Sequence, residues 1–258
     1  MFKQIKEIWN YREMIFMLVR RDLRGRYKAS FLGFLWTFLN PLLQLGVYTI
    51  VFSIIMRSGI EKYYLYLFVA LIPWMFMATS VQGGATCILA QKDMVTKIHF
   101  PRQTLPIAHV TSCFVNMLLC FIVVLLVCLL DGGLNWVLLP LLIPIMLVEY
   151  LLALGLCLIV SGTTVYFRDL EHIMGIFVML WQFMTPVMYS VEMVPERLRQ
   201  VFMLNPMTPV IICYRDILYY RRVPQLQDLL ISLGMGLLFV VLGWLLFNRM
   251  QRRFAEEL

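Results

Sequence analysis

Residues 20–44 read RRDLRGRYKASFLGFLWTFLNPLLQ, and the character of the chain changes halfway along them. The first half carries Arg20, Arg21, Arg24, Arg26 and Lys28 against a single Asp22, whereas the second is apolar and aromatic and runs on to Met56 without a charge. Cations of this kind gain about 1 kcal/mol each among anionic head groups. Carrying one to the bilayer centre costs about 2.5–3.5 kcal/mol on the insertion scale. The stretch therefore reads as a helix lying on the cytoplasmic membrane face that turns into a spanning helix, its basic end held inside.

Upstream, Ile5, Ile8, Trp9, Ile15, Phe16, Leu18, Val19 and Leu23 alternate with cations at loosely helical spacing. Residues 2–28 are thus expected to form one or two interfacial helices, with Trp9 and Tyr11 at head-group level. No cleavable signal peptide is expected, because about thirty amphipathic residues precede the first span and no small-residue cleavage site follows it.

Downstream, the apolar runs predict six spans, at 31–56, 63–81, 105–130, 137–160, 173–189 and 229–247. Each is near the ~20 residues that a crossing helix needs. Asn40-Pro41 is expected to bend the first span, Gly83-Gly84 to end the second, Asp131-Gly132-Gly133 to form a far-side turn, and Thr185-Pro186 to break the fifth. Residues 190–226 hold apolar pieces at 201–204 and 210–218 that are too short to cross. Pro195 and Thr208-Pro209 mark helix starts there, so two short re-entrant helices on the outer side are predicted. Roughly two-thirds of the Lys and Arg residues fall on the segments assigned inside, which puts both termini in the cytoplasm.

Composition agrees. The chain of 258 residues is 61% hydrophobic and 14% charged, with a mean hydropathy of +0.81. Soluble domains run near 45–50% apolar and 25% charged, so the class is an all-α integral membrane protein. The net charge of +7 flanks apolar runs instead of forming one patch, and nucleic acid is set aside as a partner in favour of membrane lipid. The six cysteines show no paired spacing and the three histidines are scattered, so neither a disulfide framework nor a metal site is expected.

No G-x-x-x-x-G-K-[ST], H-E-x-x-H, C-x-x-C or G-x-S-x-G occurs, so the chain carries no recognisable nucleotide-binding or hydrolytic motif and reads as a non-enzyme. Glu149 is the one acidic residue deep in a predicted span, a functional candidate by position. The plainer reading, a carboxyl that ties two helices by a hydrogen bond, is preferred because one isolated carboxylate makes no proton relay. Trp36 and Tyr48 in span one, with Phe177 and Trp181 in span five, are candidates for an aromatic path, since a sugar ring stacks its C–H face on an aromatic while its hydroxyls find water. Packing is the alternative for each.

Four stretches carry a family resemblance: RRDLRGRYKASFLGFLWTFLNPLLQL from Arg20, KIHFPRQTLP (97–106), VYFRDLEHI (165–173) and NPMTPVIICYRDIL (205–218). Together, and in this order, they resemble the permease subunits of ABC exporters for polysaccharides and polyol phosphates, the carriers of lipid-linked O-antigen, capsule or teichoic acid across the bacterial inner membrane. The resemblance implies a homodimer of six-span subunits forming a channel, above two separate ATP-binding-cassette subunits that hold the ATP and Mg; this chain would bind no cofactor. It also implies a coupling helix within 84–102 and gate helices in 190–226. In the coupling segment Lys92, Val95, Lys97, Phe100 and Arg102 are the residues expected to meet the ATPase, with Ile88, Leu89 and Ile98 adding apolar contacts. A secondary transporter would show inverted repeats and several intramembrane ionisable groups. A membrane-embedded glycan or lipid enzyme would cluster His, Asp or Arg on one face. Neither pattern is evident in the sequence, and a purely structural scaffold is left as the remaining alternative.

Overall fold

The computed structural model describes residues 2–25, 31–56 and 59–257. Arg26, Lys28 and Arg57, which enter the charge asymmetry, lie outside the described residues. Among the described residues the regular structure is entirely helical.

Two short helices come first, α1 (Phe2–Asn10) and α2 (Arg12–Gly25). Glu13 in the first turn of α2 and Arg24 in its last complement the helix dipole. Ile8 and Val19 are buried while Trp9 is 67% exposed, as a helix pair lying flat on an interface requires. Span one follows as a 3-10 turn (Gly33–Leu35), α3 (Trp36–Thr49) and a π-helical turn (Ile50–Ile55). It differs from expectation in one respect: α3 runs through Pro41, and the departure from α geometry falls at its far end.

Helix α4 (Tyr63–Thr86) is the centre of the molecule. Of its most apolar window 78% is buried, against 6% for span one. A helix apolar on every face belongs in the middle of a bundle. It does not end at Gly83-Gly84. There the missing side chains admit neighbours instead: a Cβ on Gly83 would stand 2.6 Å from His109 Cε1, and one on Gly84 2.8 Å from Cys157 Sγ. The two glycines are helix-packing positions, and α4 continues one turn past the expected stop.

After a 3-10 turn (Leu89–Gln91) comes the short helix α5 (Lys92–Lys97), then span three, α6 (Thr104–Leu130). The turn after α6 contains Gly132 and Gly133 at φ +124° and +89°, a backbone region that glycine enters without a Cβ penalty. Lys62 Nζ bridges to Asp131 Oδ2 at 2.9 Å, tying this turn to the start of α4.

Span four, α7 (Leu142–Tyr166), and span six, α11 (Leu226–Met250), form the tightest helix pair. A Cβ on Gly155 would fall 2.4 Å from the carbonyl carbon of Phe239, and one on Gly243 2.4 Å from the Gly155 carbonyl oxygen. Gly236 is less tightly placed, a Cβ there standing 3.3 Å from Val148 O. Within lipid the burial of apolar surface no longer drives helices together, so close backbone approach over small residues does.

Between these two spans lie α8 (Leu170–Met184), α9 (Glu196–Met203) and α10 (Met207–Leu218); α12 (Phe254–Glu257) ends the described chain. At 15 residues, α8 is roughly 22 Å long, short of the ~30 Å hydrocarbon core. The chain bends by 95° between α9 and α10. The two are unlike: α9 buries no residue, whereas α10 is buried almost throughout. Among the described residues five helices are long and apolar enough to cross a membrane, or six if the bent pair is one span.

Candidate functional site

Thr185 turns extended (φ −104°, ψ 133°) and Pro186 lacks an N–H, so α8 stops at Met184. The next residues are unwound yet buried: Thr185 and Val187 are 0% exposed and Met188 is 3%. Irregular backbone at membrane depth is tolerated only where its polar groups are satisfied by protein. Here α10 and α4 satisfy them. Arg215, itself 3% exposed, donates from Nη1 to Pro186 O at 2.6 Å and from Nη2 to Val187 O at 2.7 Å. Tyr63 Oη donates to Met188 O at 2.8 Å and Tyr66 Oη to Tyr189 O at 3.1 Å. The guanidinium stands 3.6 Å from the Tyr66 ring centroid, where the ring quadrupole favours a desolvated cation.

A second tie lies beside it. Asn205 Nδ2 donates to Met184 O at 3.1 Å and to Thr185 Oγ1 at 2.8 Å. Its Oδ1 accepts the Trp181 indole N–H at 2.9 Å and the Met207 N–H at 3.1 Å, the latter capping α10. The unwound segment, the α9–α10 bend and the end of α8 are thus held as one unit. Sequence reading missed Arg215, which it counted among the outer loop charges. The available signal was a lone Arg-Asp pair inside an otherwise apolar run.

Glu149, 0% exposed, accepts from Tyr214 Oη at 2.6 Å. It ties α7 to α10, the plainer of its two expected roles. Asp216 faces the other way and pairs with Arg222 at 2.7 Å.

The four aromatics do not form a single row. Trp181 is 8% exposed and packs edge-on to Trp74 at 5.4 Å, with Phe177 at 5.6 Å. Tyr48 joins this group at its edge, its Oη accepting from Gln182 Nε2 at 3.5 Å. Trp36 lies some three turns from Tyr48 along α3. It lines a different cavity of about 360 Å³ between α3, α4 and α6, with Asn40, Phe76 and Asn116. Phe177 is 47% exposed and Trp36 41%; Trp181 is an anchor.

The stretch expected as a coupling segment, 84–102, is in part helix α4, to which 84–86 belong. Lys92 and Lys97 are exposed, and Lys97 pairs with Asp93 at 3.2 Å across one turn. Val95 and Phe100 are 2% and 6% exposed and Ile88 is 0%, which corrects their placing as contacts for a partner. They face inward because α1, α7, α11 and Phe254 offer them an apolar core. Arg102 is also turned in, donating to Gln251 O. The outward face consists of Lys92, Asp93, Thr96, Lys97, Ile98 and His99.

His109 and His172, far apart in sequence, line one cavity of about 560 Å³ together with Glu171 and Gln82. Among the described residues no group of three His, Cys, Asp or Glu side chains is arranged to hold a metal ion.

Comparison with known proteins places these features. Residues 13–219 match the family model for the ABC-2 type transporter. The chain is 35% identical over 268 residues to the O-antigen export system permease protein RfbA of Myxococcus xanthus, covering all of both chains. Two proteins of the same name from Klebsiella pneumoniae are 32% and 31% identical, each over 95% of both chains. A multi-pass helical bundle with a buried unwound segment at one end and a short exposed helix at the other, matched over most of its length, belongs to the ABC-2 type transporter family as a membrane-embedded permease.

Proposed function

We propose that the chain is the channel-forming permease subunit of an ATP-driven exporter that moves a lipid-linked polysaccharide across the bacterial cytoplasmic membrane. The observation that carries this reading is end-to-end similarity to permeases named for O-antigen export. O-antigen is therefore the first polymer to test, ahead of capsule and teichoic acid.

In this reading two copies form the channel. The geometry supports α3 and α8 as its walls, since both keep broad faces free of intramolecular packing. Val47, Ile50 and Ile54 on span one and Ile176, Phe177 and Leu180 on α8 are each about half exposed or more. Phe177 and Tyr48 supply stacking surface on the path, while Trp181 holds the wall in place. The unwound 185–189 segment with α9 and α10 forms the exit gate on the outer side. ATP and Mg sit on separate ATPase subunits, which dock on the outward face of α5, and both termini are cytoplasmic.

Deleting the gene in its host tests the reading. Surface glycan, labelled on intact cells, should be lost, and the same polymer should accumulate inside and be released only on lysis. Unchanged surface glycan contradicts it. The docking face has its own test: Lys92→Glu with Lys97→Glu should weaken copurification of the ATPase subunit and export together, without changing membrane insertion. Normal association of that double variant removes α5 from the docking surface.

A further inference from the structure

The coupling segment is joined to span six more firmly than its sequence neighbours imply. Phe100-Pro101 leads directly into α6, so a push on α5 would be expected to travel into span three. Polar contacts also tie this junction to span six. Gln103, 3% exposed, donates through Nε2 to Asn248 Oδ1 at 2.6 Å. Gln251 Nε2 donates to the same oxygen at 3.0 Å. Asn248 Nδ2 in turn donates to Gln4 Oε1 at 3.0 Å, and that oxygen also accepts the Trp244 indole N–H at 3.2 Å. One amide near the end of α11 therefore joins the N-terminal helix, the N-cap residue of α6 and the C-terminal turn, and Arg102 of the coupling segment donates to the backbone of that same turn at Gln251.

The apolar contacts repeat the pattern. Phe254, 0% exposed, packs edge-on to Phe247 at 5.5 Å and against Tyr166 at 6.2 Å. It shares one core with Val95 and Phe100 of the coupling segment and Ile8 of α1. Tyr166 Oη donates to Met250 O at 2.7 Å, closing the unit onto α7. Beyond this unit α11 is locked to α7 through Gly155 and Gly243. Helix α7 reaches α10 through Glu149 and Tyr214, and α10 holds the unwound exit segment through Arg215.

We propose that Asn248 and Phe254 are positioning residues that yoke the coupling segment to span six, so that a displacement of α5 by the ATPase moves spans six and four as one body and reaches the exit clamp. This rests on the proposed export reading, and it adds which span receives the stroke. Spatial contiguity alone does not establish coupling between two sites, so the test must separate docking from transmission.

The complete permease–ATPase complex in proteoliposomes provides it. Asn248→Ala and Phe254→Ala should each retain the ATPase subunit and its basal ATP hydrolysis while glycan exported per ATP falls about tenfold. Phe254→Leu should restore most of that ratio. Gln103→Ala combined with Asn248→Ala should lose no more than Asn248→Ala alone, since the Gln103 link ends on Asn248. An unchanged export-per-ATP ratio overturns the proposal, as does loss of the ATPase subunit, which would make these residues part of the docking surface. A second measurement is independent of the exported substrate and of a variant's ability to fold. Spin labels at Ala90→Cys, exposed just before α5 and outside the docking face, and at Arg252→Cys in the otherwise unaltered complex should keep one distance with and without ATP, while a pair at Ala90→Cys and Leu118→Cys on span three changes. The reverse pattern overturns the yoke even if the exported substrate proves to be something other than a glycan.

Discussion

Arg215 shows how far a single residue's role can lie from its sequence neighbourhood. In the sequence it is a cation in a long outer segment, as consistent with a solvated loop as with a buried one. Its fork becomes meaningful only when α10 folds against the end of α8 and two carbonyls freed by Pro186 come within 2.7 Å. Replacing it with Met removes donors from buried carbonyls, at about 1–3 kcal/mol for each one left unpaired. Arg215→Met should therefore lower the melting temperature of the solubilised protein and abolish export. Arg215→Lys should be intermediate, because one ammonium lacks the planar fork that serves two acceptors. A stable, fully active Arg215→Met variant would remove the clamp from the account. Glu149 was legible by contrast, since an acid at mid-span demands a partner, though the partner's identity, Tyr214, depended on the tertiary fold.

At the level of elements, the apolar run expected as span five holds a helix that ends at Met184, five residues before the expected bound, and the glycines were misread. Gly83-Gly84 looked like a stop because glycine weakens an isolated helix. In the bundle the same residues let His109 and Cys157 approach, and packing outweighs propensity. The amphipathic reading of α5 also held only in part: the apolar face exists, yet it is consumed by the protein's own termini, which no local pattern reveals. The contact between α7 and α11 offers a controlled comparison. Gly155→Ala places a Cβ 2.4 Å from the Phe239 backbone and should destabilise by a few kcal/mol, read as lower membrane abundance and a lower melting temperature. Gly234→Ala, on the facing helix α11 but with nothing within 4 Å, should be neutral or slightly stabilising, within about 1 kcal/mol. Equal behaviour of the two variants would deny that close backbone approach holds this pair.

For the whole molecule, packing gathers the two ends of the described chain. Gln4 of α1 and Trp244 and Asn248 of α11 touch, so the two ends of the described chain lie on one side of the bundle, with α5 beside them. The sequence could order the spans but not pair them, because span one and α8 expose most of their surface and, among the described residues, show no internal partner for it. That is the surface the proposed second subunit and channel would use. Single cysteines at Glu196→Cys and Arg221→Cys should react with an impermeant reagent applied to intact cells, and Lys92→Cys only after lysis; labelling of Lys92→Cys from outside reverses the orientation. The most direct measurement of the central claim is transport itself. The permease and its ATPase subunit, reconstituted in liposomes loaded on the ATPase-facing leaflet with lipid-linked polysaccharide, should move the glycan to the opposite leaflet only when ATP and Mg are supplied. Translocation that proceeds equally without ATP, or no translocation by a complex that hydrolyses ATP and accepts the polymer, would contradict it.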